Sequence, residues 1–187
     1  MQTEKQLEII EAMVQASRKS QQRNSFYYIL WGIIMATVSI VEYYCASNNI
    51  IFWQIWPISG TLGGVISGIY GYREGKKSEV NTTTDLVSSY IWSSFMITLA
   101  FVITFTVVNH IHPHALVLAL AGLATFASGG ISRFKPLMLG GIALWIGAII
   151  CGFVVTDVNI SIIYAISLVL GYVIPGLILR KKEINEA

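Results

Sequence analysis

Charge is what this sequence has least of. Only 12% of the 187 residues are charged, while 55% are hydrophobic. The charges fall in short islands separated by uncharged runs of roughly 17–25 residues, the length that a helix needs to cross a hydrocarbon core about 30 Å thick. That distribution excludes an ordinary soluble domain, in which polar and apolar residues alternate on a short period. With two cysteines the chain cannot be a disulfide scaffold. Cys45 and Cys151 read as unpaired packing residues. No phosphate loop, CxxC pair, HExxH helix or G-x-S-x-G elbow occurs, so the common phosphate, redox, zinc-protease and acyl-transfer sites are not signalled. The ten-residue alternation of a barrel strand is also missing, and a backbone in lipid must then satisfy its hydrogen bonds as helix.

What is present are six apolar runs, at about 26–46, 51–72, 86–109, 114–132, 136–155 and 160–179. They predict an all-α polytopic membrane protein with six transmembrane helices arranged as three hairpins. Residues 1–25 form a cytoplasmic amphipathic helix ahead of the six-helix domain at 26–179, and residues 180–187 a basic then polar cytoplasmic tail. No cleavable signal segment is expected in the polar residues 1–25, and the first span serves as the insertion signal. All 12 basic residues lie before the first run or after the second, fourth and sixth. By the positive-inside rule both termini are cytoplasmic, which predicts a multi-pass protein of the inner (plasma) membrane. The net charge of +2 follows from this placement and is no nucleic-acid footprint. The lipid bilayer is the expected partner, and no cofactor is expected.

Glycines mark the packing. Residues 56–77, WPISGTLGGVISGIYGYREGKK, hold Gly60, Gly64, Gly68 and Gly71 at helical spacing. Each would cost about 1 kcal/mol relative to alanine in a water-exposed helix. In lipid, small residues let helix backbones approach. The second run therefore reads as the central, most closely packed helix, with Gly140, Gly147 and Cys151, and Gly122 with Ala119 and Thr125, as weaker contact faces. Tyrosines and tryptophans fall where membrane interfaces should be, among them Trp56. Pro175, inside the sixth run, frees the carbonyl of Gly171 and should bend that helix.

Residues 3–23 carry Leu7, Ile10, Val14 and Ser17 along one helical face, with acidic residues early and basic residues late. They read as an interfacial helix, or more sharply as a docking helix for a cytoplasmic protein partner. Ionisable residues in the runs are few. Glu42 lies about one turn from the outer end of the first; His110, His112, His114 and Asp157 lie on the same side. Imidazoles and carboxylates are metal-capable and proton-exchanging, so these five are the candidate metal ligands. The bland reading is a solvated loop beneath an interfacial carboxylate. The sequon Asn159-Ile160-Ser161 lies too near the membrane to carry weight.

The segments FYYILWG at 26–32, FASGGISRFKPLMLGGIALW at 126–145 and YVIPGLIL at 172–179, with the glycine-rich second run, resemble an uncharacterised family of small six-span bacterial inner-membrane proteins. The likeness covers nearly the whole chain and implies no activity. It implies proximity in the genome to a small winged-helix regulator, and so a sensing or accessory role. The expectation is a non-enzymatic regulatory or accessory membrane protein. The alternative is a small oligomeric transporter or channel, a homo-oligomer with the bent sixth helix lining its path.

Overall fold

The computed structural model describes residues 2–50, 52–76, 83–155 and 158–185, and among them there is no strand. Helix α1 spans Gln2–Ser47, α2 Ile55–Gly75, α3 Thr83–Val108 and α4 His114–Ile131. Helix α5, Lys135–Ile149, runs on through a π turn at Ile150–Val154. Helix α6, Ile160–Leu168, passes through a second π turn, Val169–Val173, into α7, Ile174–Asn185, to make one rod. The second π turn ends one residue before Ile174-Pro175, so the wide turn falls where the proline removes an amide donor.

Among the described residues, five helices are long and apolar enough to cross a membrane: 25–47, 85–108, 114–131, 135–154 and 160–182. The second expected span corresponds to α2, whose 21 residues suffice in length but whose glycines, serines and tyrosines dilute its apolarity. Residues 2–24 are not a separate helix; they continue into the first span without a break. No proline occurs in that stretch and the first glycine of the chain is Gly32, so nothing in the sequence stops the helix.

The core lies among α1, α4, α5 and the α6–α7 rod. Leu118 and Leu144 are fully buried, with Tyr28, Ala121, Tyr164, Leu168 and Tyr172 around them. The most extensive helix contact is between α4 and α5. There Gly122 faces the Trp145 indole, Gly129 faces Met138, and Trp145 Nε1–H donates to the Ala119 carbonyl at 3.0 Å. Gly147 leaves space filled by Ser167, and Gly140 meets the Gly171 carbonyl. The faces expected to be weaker are therefore the tight ones.

Helix α2 is not central. It packs chiefly against α1, through Gly63 on the Trp31 ring, Gly71 on the Tyr27 hydroxyl, and Trp31 Nε1–H donating to Ser67 Oγ at 3.1 Å. Nothing described lies within 4 Å of a Cβ built on Gly60, Gly64 or Gly68. Helix α3 packs chiefly against α4, and 6% of its apolar window is buried, against 50% for residues 160–182. Ile97, Phe101 and Val107 on α3, and Ile58, Leu62 and Val65 on α2, are exposed. Such contiguous apolar surface is stable in lipid and insoluble in water.

Three helices end in the same way. Asn49, His110 and Arg133 adopt φ of 57°, 54° and 50°, and the next amide returns to the carbonyl five residues back: Ile50 to Cys45, Ile111 to Thr106, Phe134 to Gly129. This left-handed cap usually falls to glycine, with asparagine next best.

Candidate functional site

On α1 the buried positions Ser25, Tyr28, Gly32, Ala36 and Ser39 recur every three or four residues, and the next position on that stripe is Glu42. The carboxylate therefore points into the bundle rather than along its surface. Its side chain is 28% exposed, and three helices send donors to it. The seven-residue link after α1 brings the first turn of α2 alongside, where Trp56 Nε1–H donates to Glu42 Oε1 at 3.0 Å. From α6, the Ser161 hydroxyl donates to Oε2 at 2.8 Å. From α4, His114 Nε2 lies 3.0 Å from the same oxygen.

His114 is the first residue of α4, placed there by Pro113, and it opens that helix's buried stripe, continued by Leu118, Ala121, Thr125 and Ser128. Its side chain is 6% exposed. The Tyr164 ring meets it edge-on, with centroids 5.0 Å apart, and Trp56 stands at 5.7 Å. The two rings, from α2 and α6, also meet each other edge-on, with centroids 5.9 Å apart. Among the described residues, His114 Nδ1 is buried with no hydrogen-bond partner. Below the site Cys151 donates weakly to the Ile160 carbonyl, at 3.8 Å.

One proton must lie between Oε2 and Nε2, because two lone pairs do not face each other at 3.0 Å. With the carboxylate ionised, Nε2–H donates and the contact is a hydrogen bond. With the imidazole also protonated, it is an ion pair. No lysine or arginine side chain takes part in these contacts. The chemistry of the site is thus proton holding by a carboxylate and an imidazole in an aromatic wall.

Of the five candidate metal ligands, the structure brings Glu42 and His114 together and does not bring the others. His110 is exposed because its left-handed backbone ends α3, and His112 is exposed on the link, its ring 6.4 Å from that of His114. Asp157 lies outside the described residues. Among the described residues no three histidine, cysteine or acidic side chains gather as a metal set would require. Of the packing glycines, Gly71 sits in a helix contact and Gly60, Gly64 and Gly68 border open space.

Sequence reasoning missed Trp56, Ser161 and Tyr164 as partners of Glu42 and His114. Trp56 read as an interface anchor and Ser161 as the end of a sequon. The signal that finds the site is the register of small and polar residues on α1, which carries Glu42 inward. The cysteines are free, Cys45 half-buried and Cys151 buried. No protein family, no curated protein and no solved structure matches this chain.

Proposed function

We propose that this is a six-span, multi-pass protein of the inner membrane with both termini cytoplasmic, and that it acts as a non-enzymatic regulatory or accessory protein presenting the amino-terminal part of α1 to a cytoplasmic protein. The observation that carries the reading is the length of α1. Its 46 residues, at 1.5 Å each, reach about 69 Å, more than twice the hydrocarbon thickness. With residues 25–47 in the membrane, the rest of the helix extends beyond it as an arm, along which the sequence pattern places Leu7, Ile10 and Val14 at the spacing of a helix that docks in a partner's groove. The sixth span of this reading is α2, held to α1 by the stacked rings of Phe26 and Tyr70, 3.9 Å apart.

Reporter fusions after Lys77 and Lys135 should report cytoplasm, and fusions at Asn48 and Asp157 the outside. Photo-crosslinkers placed at positions 7, 10 and 14 in cells should give one discrete adduct, and removal of residues 3–23 should abolish it while leaving the bundle folded. A fusion after Lys77 that reports outside overturns the topology; silent crosslinkers with no phenotype on deletion overturn the role.

A second reading, a small oligomeric transporter or channel, is favoured by the carboxylate and imidazole held inside the helices and by the wide turn next to Pro175. Ion flux in proteoliposomes of the purified chain would select it.

A further inference from the structure

Helix α5 and the α6–α7 rod run antiparallel, since Gly140 faces Gly171 while Gly147 faces Ser167. Each keeps another side exposed: Lys135, Leu139, Ile142 and Ile146 on α5, and Leu170, Ile174, Leu177 and Lys181 on the rod. Steps of three or four residues make each set one helical stripe. On either helix the stripe is reached from the glycine contact by a rotation of the same sense along its own chain. In an antiparallel pair the two stripes therefore adjoin and face the same way.

Both apolar stripes end in a lysine, and at the same end of the bundle. Arg133 on the α4–α5 link and Arg180 on α7 stand beside Lys135 and Lys181, and all four are exposed. The link is held to α7 through Phe134, whose buried ring lies 5.8 Å from Lys182 Nζ. No acidic residue occurs in 126–156 or in 158–182, and among the described residues none of the four cations forms an ion pair with a carboxylate. The positive-inside rule asks only for cations in a loop. It does not ask that cations from two distant segments gather at the head of two exposed apolar stripes. A small anion would match the cations and leave the stripes bare; an uncharged or zwitterionic lipid would match the stripes and leave the positive charge unanswered. A phospholipid of net negative charge matches both.

We propose that Arg133, Lys135, Arg180 and Lys181 form a seat for the headgroup of an anionic phospholipid, whose acyl chains lie along the adjoining stripes of α5 and the α6–α7 rod. Guanidinium groups take phosphate oxygens in pairs, and the lysines add positive charge around them. The bound lipid ties the α4–α5 link to α7. The seat lies at the end of the rod away from Ser161 and Glu42, and it requires only that these helices lie in a bilayer, not the regulatory reading.

The test uses the full chain in detergent, which has no sides, so the part these cations play in topology cannot produce the result. Native mass spectrometry with equal amounts of phosphatidylglycerol and phosphatidylcholine should show the anionic lipid bound in about tenfold preference. Adding phosphatidylglycerol should also raise the melting temperature, as a ligand of the folded state does. Lys135→Gln with Lys181→Gln should remove most of the preference, whereas Arg73→Gln with Lys76→Gln, the same loss of charge at the end of α2, should leave it. Arg133→Gln with Arg180→Gln removes charge from the same seat and decides the matter should the first pair fail to fold. Equal binding of the two lipids by the unaltered chain overturns the proposal, and so does an equal loss of preference in the seat and α2 variants. Inorganic phosphate that raises the melting temperature as far as phosphatidylglycerol does would make the ligand a soluble anion and overturn the lipid assignment.

Discussion

Gly140 of α5 and Gly171 of the second π turn lie backbone to backbone. A Cβ on Gly140 would stand 2.5 Å from the Gly171 carbonyl oxygen, and one on Gly171 would stand 3.0 Å from the Gly140 carbonyl oxygen. Pro175, four residues after Gly171, has no amide to offer that carbonyl, and its ring also borders Gly140. The exposed backbone edge is thus covered by another glycine, with room only for Cα–H···O contact.

From this contact follows the first prediction. Gly140→Leu must push backbone aside, and overpacking of a tight contact costs about 1–3 kcal/mol. At about 2–4 °C per kcal/mol for a chain of this size, thermal unfolding in detergent should fall by several degrees. An unchanged melting temperature would mean that α5 and the α6–α7 rod do not meet here.

Adjacent glycines of α2 should behave in opposite ways. Gly63 lies 3.0 Å, measured from a built Cβ, from the rigid Trp31 ring, whereas Gly64 has nothing described within 4 Å. Gly63→Leu should destabilise the fold by about 1–3 kcal/mol, while Gly64→Leu should leave monomer stability within about 0.5 kcal/mol. Unfolding curves of the two variants in the same detergent compare them directly. Equal losses would place a helix against the Gly60, Gly64 and Gly68 row, as in a self-associating assembly, and cross-linking of the wild type would then show the oligomer.

These glycines show where sequence reading stops. Spacing of Gly60, Gly64 and Gly68 identifies a smooth face, but lipid and a neighbouring helix are equally apolar, so spacing cannot say which one covers it. The helices themselves were legible because an uncharged run of sufficient length has one stable form in lipid. The unbroken α1 was not read, because the change from polar to apolar residues near Ser25 suggests two helices, although no glycine or proline precedes Gly32. His114 was grouped with His110 and His112 by proximity in sequence. Pro113 separates them physically, starting α4 so that His114 joins its buried stripe while the other two stay on the link. The first π turn, at Ile150–Val154, had no sequence signal of this kind, since no proline follows it.

The two cysteines should differ in reactivity. Cys45 lies half-buried near the end of α1, and Cys151 is buried with its thiol toward the Ile160 carbonyl. In the folded protein in detergent, a maleimide should label Cys45 and spare Cys151, and both should react after denaturation. Mass spectrometry of the labelled peptides reads this out. Rapid labelling of Cys151 in the native state would show that α6 separates from α5 more readily than their packing implies.

The last prediction concerns the acceptors of Glu42. Its two oxygens accept from Trp56 and Ser161 and share a proton with His114, so the carboxylate does what an amide of the same shape cannot. Glu42→Gln replaces one oxygen by a donor. If that NH2 group turns toward Trp56, two N–H groups oppose each other; if it turns toward Ser161, the amide must find a lone pair where a hydroxyl now donates. A serine can rotate its hydroxyl and accept, whereas the indole only donates, so the amide nitrogen should settle beside Ser161 and His114. His114 then presents its Nε2 lone pair to that nitrogen, moving its own proton to the buried Nδ1. The variant therefore folds, but with a loss of about 1–3 kcal/mol for the polar hydrogen left without an acceptor. Trp56→Phe removes one donor and leaves a carboxylate with two, so it should cost less, about 0.5–1.5 kcal/mol. Unfolding of both variants at one neutral pH orders the effects. A Glu42→Gln protein as stable as the wild type would mean that the carboxylate reaches out to the membrane surface and the three helices are not joined through it.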